Sequence, residues 1–389
     1  MGSATLISPA SVGVVNRMRV LTALHAAGPQ SRAELARTFG VSRATVGTIL
    51  QPLLDSGVLV EAEPVAGTRS GGKPPRPVWF SASARAVGAV EILPGRIDAA
   101  TVSLTGEIRR HAVARFAARS RTDESFTEAL HACCATAFAH DEVIGVGVAA
   151  AGLVEPDERR LVELNAAPAL AGYPIGARLT ELVAAPVYLE HHARVQALGD
   201  RWFGAGRGLD TFASVSTGDS VGVGVVQHGS VLSAPGAASG AHMTVAAGGA
   251  RCDCGRRGCW KTVATTGWLR DRAQQRGIGG ARATTPARLG ARALRGDHAA
   301  ADLLDEYAAN LALGLGNVQQ LLAPGTFILH GDAASAGDAF LTRLSRHLSA
   351  TSPHRPDAAP TVRVADPEQD TALLGCAGLV LSAGMELLR

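Results

Sequence analysis

Four side chains of the kind that bind metals lie close together in the stretch GAHMTVAAGGARCDCGRRGCW, residues 240–260. They are His242, Cys252, Cys254 and Cys259. One imidazole and three thiolates form a closed tetrahedral ligand set, which suits zinc and leaves no position for a reactive water. Gly255 and Gly258 allow the tight turn that this ligand spacing requires. The pattern predicts a structural zinc ion, and a reduced cysteine cluster without metal is the alternative.

The composition limits the class of protein. At 389 residues the chain is long enough for two or three domains with buried cores. It contains no uninterrupted apolar run of the roughly 18 to 20 residues that a membrane helix needs, and the N-terminal stretch MGSATLISPASVGVV lacks the pattern of a secretory signal. We therefore expect a cytoplasmic protein with no membrane partner, in which cysteines stay reduced. Cys133, Cys134 and Cys376 lie in apolar helical segments and are predicted to be core residues.

Charge is distributed unevenly along the chain. Residues 1–81 contain eight Lys and Arg and four Asp and Glu, a net charge of +4, although the net charge of the whole chain is only +3. A small basic module attached to a large, nearly neutral one is typical of a nucleic-acid reader with a sensing domain. A solvated basic face is the alternative interpretation.

The apolar spacing at the N-terminus predicts three helices. The first spans Val14–Ala27. A second begins at Ser31, where Glu34 completes a capping box, and ends at Gly40. A short turn then leads into a third helix, Ser42–Ser56. Helix, short turn and helix in this order predict a helix-turn-helix.

The third predicted helix has an apolar face and a short polar face. Its inward-facing residues are Val46, Ile49, Leu50 and Leu53. The outward face can enter the major groove of DNA, where residues at the start of a recognition helix reach bases and phosphates. The candidate DNA contacts on it are Ser42, Arg43, Thr45 and Thr48.

A basic loop follows the third helix. Val58–Glu61 and Val78–Phe80 are predicted strands, and the Gly/Pro-rich segment between them carries Arg69, Lys73 and Arg76. Such a wing can lie in or beside the minor groove, where narrow A·T-rich DNA concentrates negative potential. A flexible linker that is basic without binding DNA is the alternative.

After Ser81 the chain alternates strands and helices, which predicts an α/β fold with a largely parallel sheet. Five segments here, in order, resemble the ROK family (repressors, open reading frames and kinases): AAAGLVEP, PVYLEHHARVQALGD, VGVGVVQHGSVLSAPGAASGAHMTV, CDCGRRGCW and DTALLGCAGL. The helix-turn-helix in front of them resembles the regulator branch of that family, which includes the xylose and N-acetylglucosamine repressors.

The resemblance implies a domain organisation. Residues 1–81 would form a winged helix-turn-helix, and residues 82–389 a two-lobed, actin-like (ribonuclease H-like) sugar kinase fold that serves as a sensor. The smaller lobe would comprise about 82–190 plus a C-terminal helix at about 370–389, and the larger lobe about 191–369. Family regulators are dimers or larger, so a homodimer or homotetramer on an inverted-repeat DNA operator is expected.

The residues that family kinases use for catalysis are altered here. Kinases of the family carry an Asn-Asp pair, the Asp being the base, where this chain has His191 and His192. Their phosphate loops correspond to EILPG at 91–95, to Gly218-Asp219-Ser220 and to a segment that keeps only Gly331. We therefore predict no catalytic residues and a ligand-responsive repressor of carbohydrate genes. An ATP-dependent sugar kinase with a fused DNA-binding domain, or a regulator that responds to another protein, are the alternatives.

The same comparison predicts the effector site. Family kinases hold the sugar partly by carboxylates, and this chain has His192, Ser239 and Lys261 at those three places. Two further sugar contacts are replaced by His191 and Ala169, and the resemblance implies that His242 turns its second ring nitrogen to a sugar hydroxyl. Because donors replace acceptors, we predict an acidic effector such as a sugar phosphate or sugar acid. A cleft that no longer binds any ligand is the alternative.

Overall fold

Three helices form most of the N-terminal module: α1 (Pro9–Ala27), α2 (Arg32–Phe39) and α3 (Arg43–Asp55). They are seen in a computed structural model, which describes residues 9–63, 76–81, 85–139, 142–233, 239–351 and 359–383. The predicted capping box begins α2, because the Glu34 carboxylate accepts a 2.8 Å hydrogen bond from the Ser31 backbone N–H while Ser31 Oγ accepts one from Glu34 N–H. Gly40, with φ at +64°, ends the helix as expected.

A three-stranded antiparallel sheet completes the module. Its strands are β1 (Gln30–Ser31), β2 (Leu59–Glu61) and β3 (Pro77–Phe80), in the order β1-β3-β2. Leu59 lies opposite Phe80, so the two strands predicted to flank the wing do pair. The loop between them, residues 64–75, lies outside the described residues, and with it lie Arg69 and Lys73.

The chain then builds a first five-stranded sheet and its helices. The strands are β4 (Ala86–Leu93), β5 (Arg96–Val102), β6 (Ile108–Arg115), β7 (Val143–Ala150), β8 (Leu153–Glu155), β9 (Arg160–Glu163) and β10 (Val187–His191). The helices are α4 (Glu124–Ala137), α5 (Ile175–Leu182) and α6 (His192–Trp202). The sheet order is β10-β7-β4-β5-β6, and β8 with β9 forms a separate hairpin.

A second sheet repeats this topology. Its strands are β11 (Phe212–Thr217), β12 (Val221–Gln227), β13 (Ser230–Val231), β14 (Thr326–Gly331) and β15 (Thr361–Val364). Helices α7 (Thr266–Gln275), α8 (Pro286–Ala293), α9 (His298–Leu322) and α10 (Asp338–Ala350) accompany it, and α11 (Thr371–Ala383) follows. The order β13-β12-β11-β14-β15 matches the first sheet strand for strand, as expected for two related lobes.

The prediction of largely parallel sheets is wrong for half of the strand pairs. In the first sheet β4 pairs antiparallel with β5, and β5 with β6, while β4, β7 and β10 are parallel. The reason is local, because only Pro94 and Gly95 separate β4 from β5, and two residues can close a hairpin but cannot span a parallel crossover. The second sheet has the same division.

Helix α6 packs closely against α11 and β12. A Cβ atom at Gly199 of α6 would lie 2.0 Å from the Thr371 carbonyl oxygen, and one at Gly375 of α11 would lie 2.0 Å from the Val195 oxygen. On the other side, a Cβ at Gly224 of β12 would lie 2.1 Å from the Ala193 oxygen. Glycine at these three positions allows backbones to touch, and α6 therefore has little room to move independently of its neighbours.

One hydrophobic core joins the N-terminal module to the first sheet. It contains Leu21 and Leu24 of α1, Val87 of β4 and Trp202 of α6, all at most 1% exposed. The buried His25 side chain lies at this junction, and the Arg207 guanidinium donates a hydrogen bond to the His25 carbonyl oxygen. Within the described ranges, no helix combines the length and apolar character needed to span a bilayer.

Candidate functional site

The N-terminal end of α3 is exposed and held by a side-chain cap. Ser42 Oγ accepts a 3.0 Å hydrogen bond from the Thr45 backbone N–H and lies 2.9 Å from Thr45 Oγ1. Ser42, Arg43, Thr45 and Thr48 are all exposed, as a DNA-reading face requires. Their contact with DNA stays a prediction.

The opposite face of α3 anchors it in the module. Val46, Leu50 and Leu53 are fully buried, while Ile49 is only partly buried. An ion pair between Arg32 at the start of α2 and Glu61 in β2 joins the helices to the first wing strand. Arg76, at the start of the second wing strand, is exposed. The ion pair thus joins the first wing strand to α2.

The four predicted metal ligands converge. All of their ligand atoms lie within 4.8 Å of one another. Cys254 and Cys259 have their sulfur atoms 3.6 Å apart, and Cys252 Sγ lies 3.5 Å from His242 Nδ1. A tetrahedral ion with bonds of about 2.3 Å separates its ligand atoms by about 3.8 Å, so the set has the size of a zinc site.

The thiol pKa values of the predicted ligands are unequal, because burial raises the pKa of Cys252 to about 12 and also raises that of Cys259, while the pKa of Cys254 is lowered. A hydrogen bond from the Arg256 backbone lowers the pKa of the Cys254 thiol to about 7, which favours the thiolate that binds metal. Burial lowers the pKa of His242, which keeps its imidazole neutral and able to coordinate. Because His242 directs Nδ1 to the cysteines, its Nε2 remains for another partner.

A glycine turn shapes the metal-ligand hairpin. Gly258 has φ at +69°, and a Cβ there would lie 1.6 Å from the Ala246 carbonyl oxygen, so no other residue fits. Gly255 has φ at +84° and donates its N–H to the Cys252 oxygen. The two glycines make the tight turn that the ligand spacing predicts.

The two histidines predicted to line the effector cleft, His191 and His192, lie at the N-terminal end of α6, and both side chains have partners. His191 caps the helix, because its Nδ1 accepts a 3.1 Å hydrogen bond from the Ala193 N–H. Burial lowers the pKa of His191 to about 3, so this imidazole is neutral near pH 7. His192 Nε2 lies 2.7 Å from the Glu91 carboxylate of β4, which compensates any charge it carries.

Lys261 is also paired. Its Nζ lies 2.7 Å from the Asp253 carboxylate, and its backbone N–H donates to the Ala241 oxygen, which places it beside His242. The prediction of an acidic effector assumes positive charge at His191, His192 and Lys261. Here the His191 imidazole is neutral and the other two side chains are paired with carboxylates, which weakens that argument, and the effector itself stays a prediction. Glu91 and Asp253 are the partners that sequence reasoning missed, because 101 residues separate Glu91 from His192.

The remaining cleft residues lie on two sides. Ser239 is buried against Gly222 of β12, where a Cβ would lie 3.4 Å from Ser239 Oγ and 3.2 Å from Ala193 Cβ. Ser239 thus lies beside the start of α6, as a ligand-binding role requires. Ala169 lines a separate open groove of about 490 Å³ together with Arg119 and Arg121, two exposed cations that sequence reasoning also missed.

The segments that correspond to phosphate loops are shaped by other contacts. Asp219 directs its carboxylate to the Arg270 guanidinium, 3.3 Å away. Gly331, the one glycine kept in the third segment, has φ at +74°, and a Cβ there would lie 1.9 Å from the Thr217 oxygen. This glycine is therefore explained by strand packing, without a nucleotide.

Comparisons with known proteins agree with this architecture. A model described as the ROK family matches residues 87–383, and one described as a helix-turn-helix domain matches residues 16–62. The chain is 28% identical to a glucokinase of Halalkalibacterium halodurans, over 61% of this chain and 76% of that one. It is 25% identical to the xylose repressor of Bacillus subtilis, over 64% of this chain and 66% of that one.

A solved structure extends the likeness over nearly the whole chain. It is a ROK family transcriptional regulator, a homologue of the Escherichia coli MLC protein, with a TM-score of 0.80 at 20% identity, covering 97% of this chain and 99% of that one. At this identity the likeness establishes the fold, and it includes the N-terminal module and both lobes.

Proposed function

Because the chain belongs to the ROK family and carries a helix-turn-helix in front of the family domain, we propose that it is a DNA-binding transcriptional repressor controlled by a sugar-derived ligand. The observation that carries the proposal is the exposed, capped N-terminal end of α3, held on a module whose core continues into the two-lobed domain. The B. subtilis relative is a xylose repressor, which supports control of carbohydrate uptake or metabolism genes. A cytoplasmic location follows from this role.

The binding mode follows from the module. α3 lies in the major groove with Arg43 and Thr48 facing it, and the wing lies beside the neighbouring minor groove. A homodimer or homotetramer would place two such modules on an inverted repeat. Arg69, Lys73 and Arg76 supply phosphate or minor-groove contacts in this proposal.

The test is selection of bound sequences from random double-stranded DNA by the full-length protein, followed by affinity measurement at several salt concentrations. We expect an enriched inverted repeat, and Arg43→Ala to reduce the slope of log affinity against log salt by about one for each phosphate that Arg43 neutralises. Arg178→Ala on α5 is the control, since Arg178 is a partly exposed arginine whose side chain pairs with Glu181 in the sensor domain. Absence of any enriched sequence with folded protein would refute the proposal.

A sugar kinase is the second candidate, since a glucokinase is among the relatives. The geometry of the site disfavours it, because the residue at the position of the family base, His192, is paired with Glu91, and Gly331 is accounted for by strand packing. Incubation with ATP and a panel of sugars decides between the two. We expect the protein to form no sugar phosphate beyond the amount found in a control without protein.

Zinc and the effector complete the proposal. His242, Cys252, Cys254 and Cys259 would hold a zinc ion that stabilises the second lobe and takes no part in turnover. His191, His192, Ser239, His242 and Lys261 would surround the effector. Since the cationic side chains among them are paired or neutral, a neutral sugar fits this cleft better than an anionic one.

A further inference from the structure

The exposed face of the recognition helix α3 offers DNA few free polar groups. Ser42 Oγ and Thr45 Oγ1 are bonded to each other, and Ser42 Oγ also accepts from the Thr45 N–H. Thr48 Oγ1 donates to the Ala44 carbonyl oxygen at 3.2 Å, so its hydroxyl has no proton left to give a base. Farther along, the Gln51 amide donates to the Asp55 carboxylate at 2.7 Å.

Apart from one hydroxyl proton of the Ser42–Thr45 pair and the Arg43 guanidinium, the atoms that remain for contact at the start of this face are mostly carbon. A threonine whose hydroxyl turns to the helix backbone exposes its methyl group instead, and Thr48 is exposed. Ala44, exposed and one turn before Thr48, adds a second methyl group, and Thr45 a third beside them. Arg43 is the exposed cation at the start of the helix.

Gly47 lies within the same surface and leaves the helix bare. A Cβ added there would meet no heavy atom within 4 Å, and its backbone is not in the left-handed region. The fold therefore gives no reason for glycine at this position, where alanine favours a helix. A bare backbone does allow the helix to approach the floor of a groove more closely.

Resting on the proposed DNA-binding function, we propose that this helix recognises thymine through its 5-methyl groups, by contacts from Ala44, Thr45 and Thr48, with Arg43 reading one guanine or a phosphate. The thymine methyl is the one apolar group that the major groove presents, and small aliphatic side chains are its complement. A face of free amides would favour adenine instead, but this face has a single amide, Gln51, and one of its N–H groups already donates to Asp55. Each half-site is then rich in A·T pairs at the positions under these three residues.

The experiment uses the full-length protein and the sequence enriched from random DNA. Duplexes are synthesised with uracil in place of single thymines, which removes only the methyl group. We expect affinity to fall about fourfold for each contacted thymine, the factor expected from burial of one methyl-sized group. Uracil outside the half-sites is the control and leaves affinity unchanged. At a contacted position, a C·G pair lowers affinity, and replacing its cytosine by 5-methylcytosine restores part of the lost affinity.

Two substitutions of one residue assign the contact. Thr48→Ser keeps the hydroxyl and its bond to the Ala44 oxygen but loses the methyl, so it loses the preference for thymine over uracil at one position. Thr48→Val keeps a methyl and loses the hydroxyl, so it retains that preference. Equal binding of thymine and uracil duplexes, or a preference that follows the hydroxyl, overturns this inference while leaving the repressor proposal intact. Failure to enrich any sequence removes both.

Discussion

His25 packs edge-on against Trp202, with ring centroids 5.3 Å apart and an interplanar angle of 84°. His25 belongs to α1 of the DNA-binding module, and Trp202 is the last residue of α6. The first residue of α6, His192, pairs with Glu91 in the cleft. A helix of this length spans about 16 Å as a rigid unit. Because α6 is packed backbone to backbone against α11 and β12, a displacement at its N-terminal end would have to move those elements with it, and the ring contact would pass it to the module.

The first prediction concerns acid pH. Burial lowers the pKa of His25 from 6.5 to about 4, with Arg207 acting in the same direction and a hydrogen bond to the Leu104 backbone opposing it. Between these two values the unfolded chain binds a proton that the folded chain does not. The free energy of unfolding therefore rises with pH across this window and falls on acidification, by up to about 3 kcal/mol from this residue. Urea unfolding at a series of pH values from 7 to 4 measures this decrease in the free energy of unfolding.

His191 contributes in the same direction, because burial lowers its pKa to about 3. The variant His25→Leu separates the two, since leucine keeps an apolar side chain among Phe80, Trp202 and Phe203 and removes the titration together with the hydrogen bond to the Leu104 backbone. We expect this variant to lose part of the pH dependence, because other groups also have lowered pKa values and contribute in the same direction. These groups include His242, Glu34, Asp253 and Asp297. A slope identical to that of the wild type would mean that His25 is not its source.

The second prediction concerns the metal. Cys259→Ala leaves three ligands and a buried gap, so we expect loss of bound zinc and a decrease of several kcal/mol in the free energy of unfolding, because binding energy at such sites is folding energy. Cys134→Ala is the matched control, as Cys134 is equally buried but lies in α4 outside the cluster. We expect Cys134→Ala to lower the free energy of unfolding only by the cost of a small cavity, and the variant to retain its zinc. Freshly purified wild-type protein without zinc would contradict the site.

The third prediction concerns effector charge. In the wild type the Lys261 ammonium is compensated by Asp253, so a neutral sugar binds at least as well as its phosphate in calorimetry. Asp253→Asn removes the carboxylate and leaves Lys261 unpaired, and the affinity for the phosphorylated sugar then rises about tenfold, equivalent to about 1.4 kcal/mol. Lys261→Met supplies the reverse control and leaves the neutral sugar bound. If the wild-type protein already binds the phosphorylated sugar more tightly than the neutral sugar, the prediction of an acidic effector is supported instead.

Local sequence signals predict local structure well in this chain. The capping box of Ser31 and Glu34 and the turn at Gly255 and Gly258 depend on residues a few positions apart, and all are present. The four metal ligands also fall within a short stretch, so their spacing alone carries the site.

Long-range pairings are not readable in the same way. Glu91 compensates His192 from another strand, and which strands lie side by side depends on the packing of the whole sheet. The pairing of Asp253 with Lys261 is short-range, eight positions apart, and was missed because it depends on how the metal-ligand hairpin folds back on itself. Substitutions from acidic to basic residues therefore indicate a change of cleft chemistry, while the resulting net charge depends on partners that only the fold supplies.

The last prediction separates folding from DNA recognition at one glycine. Gly47→Ala adds a methyl group where no heavy atom lies within 4 Å, so we expect the free energy of unfolding to rise by about 0.5 to 1 kcal/mol, the usual gain of alanine over glycine inside a helix. In the complex the same methyl group would hold the helix away from the bases, and operator affinity falls about tenfold, or about 1.4 kcal/mol. Gly267→Ala in α7 is the matched control, because a Cβ there makes only an ordinary 3.7 Å contact with Thr265 Oγ1. Because Gly267 is the second residue of α7, its gain in stability is smaller, and operator affinity does not change. If Gly47→Ala stabilises the protein and binds the operator as tightly as Gly267→Ala does, the helix does not approach the groove floor at this position.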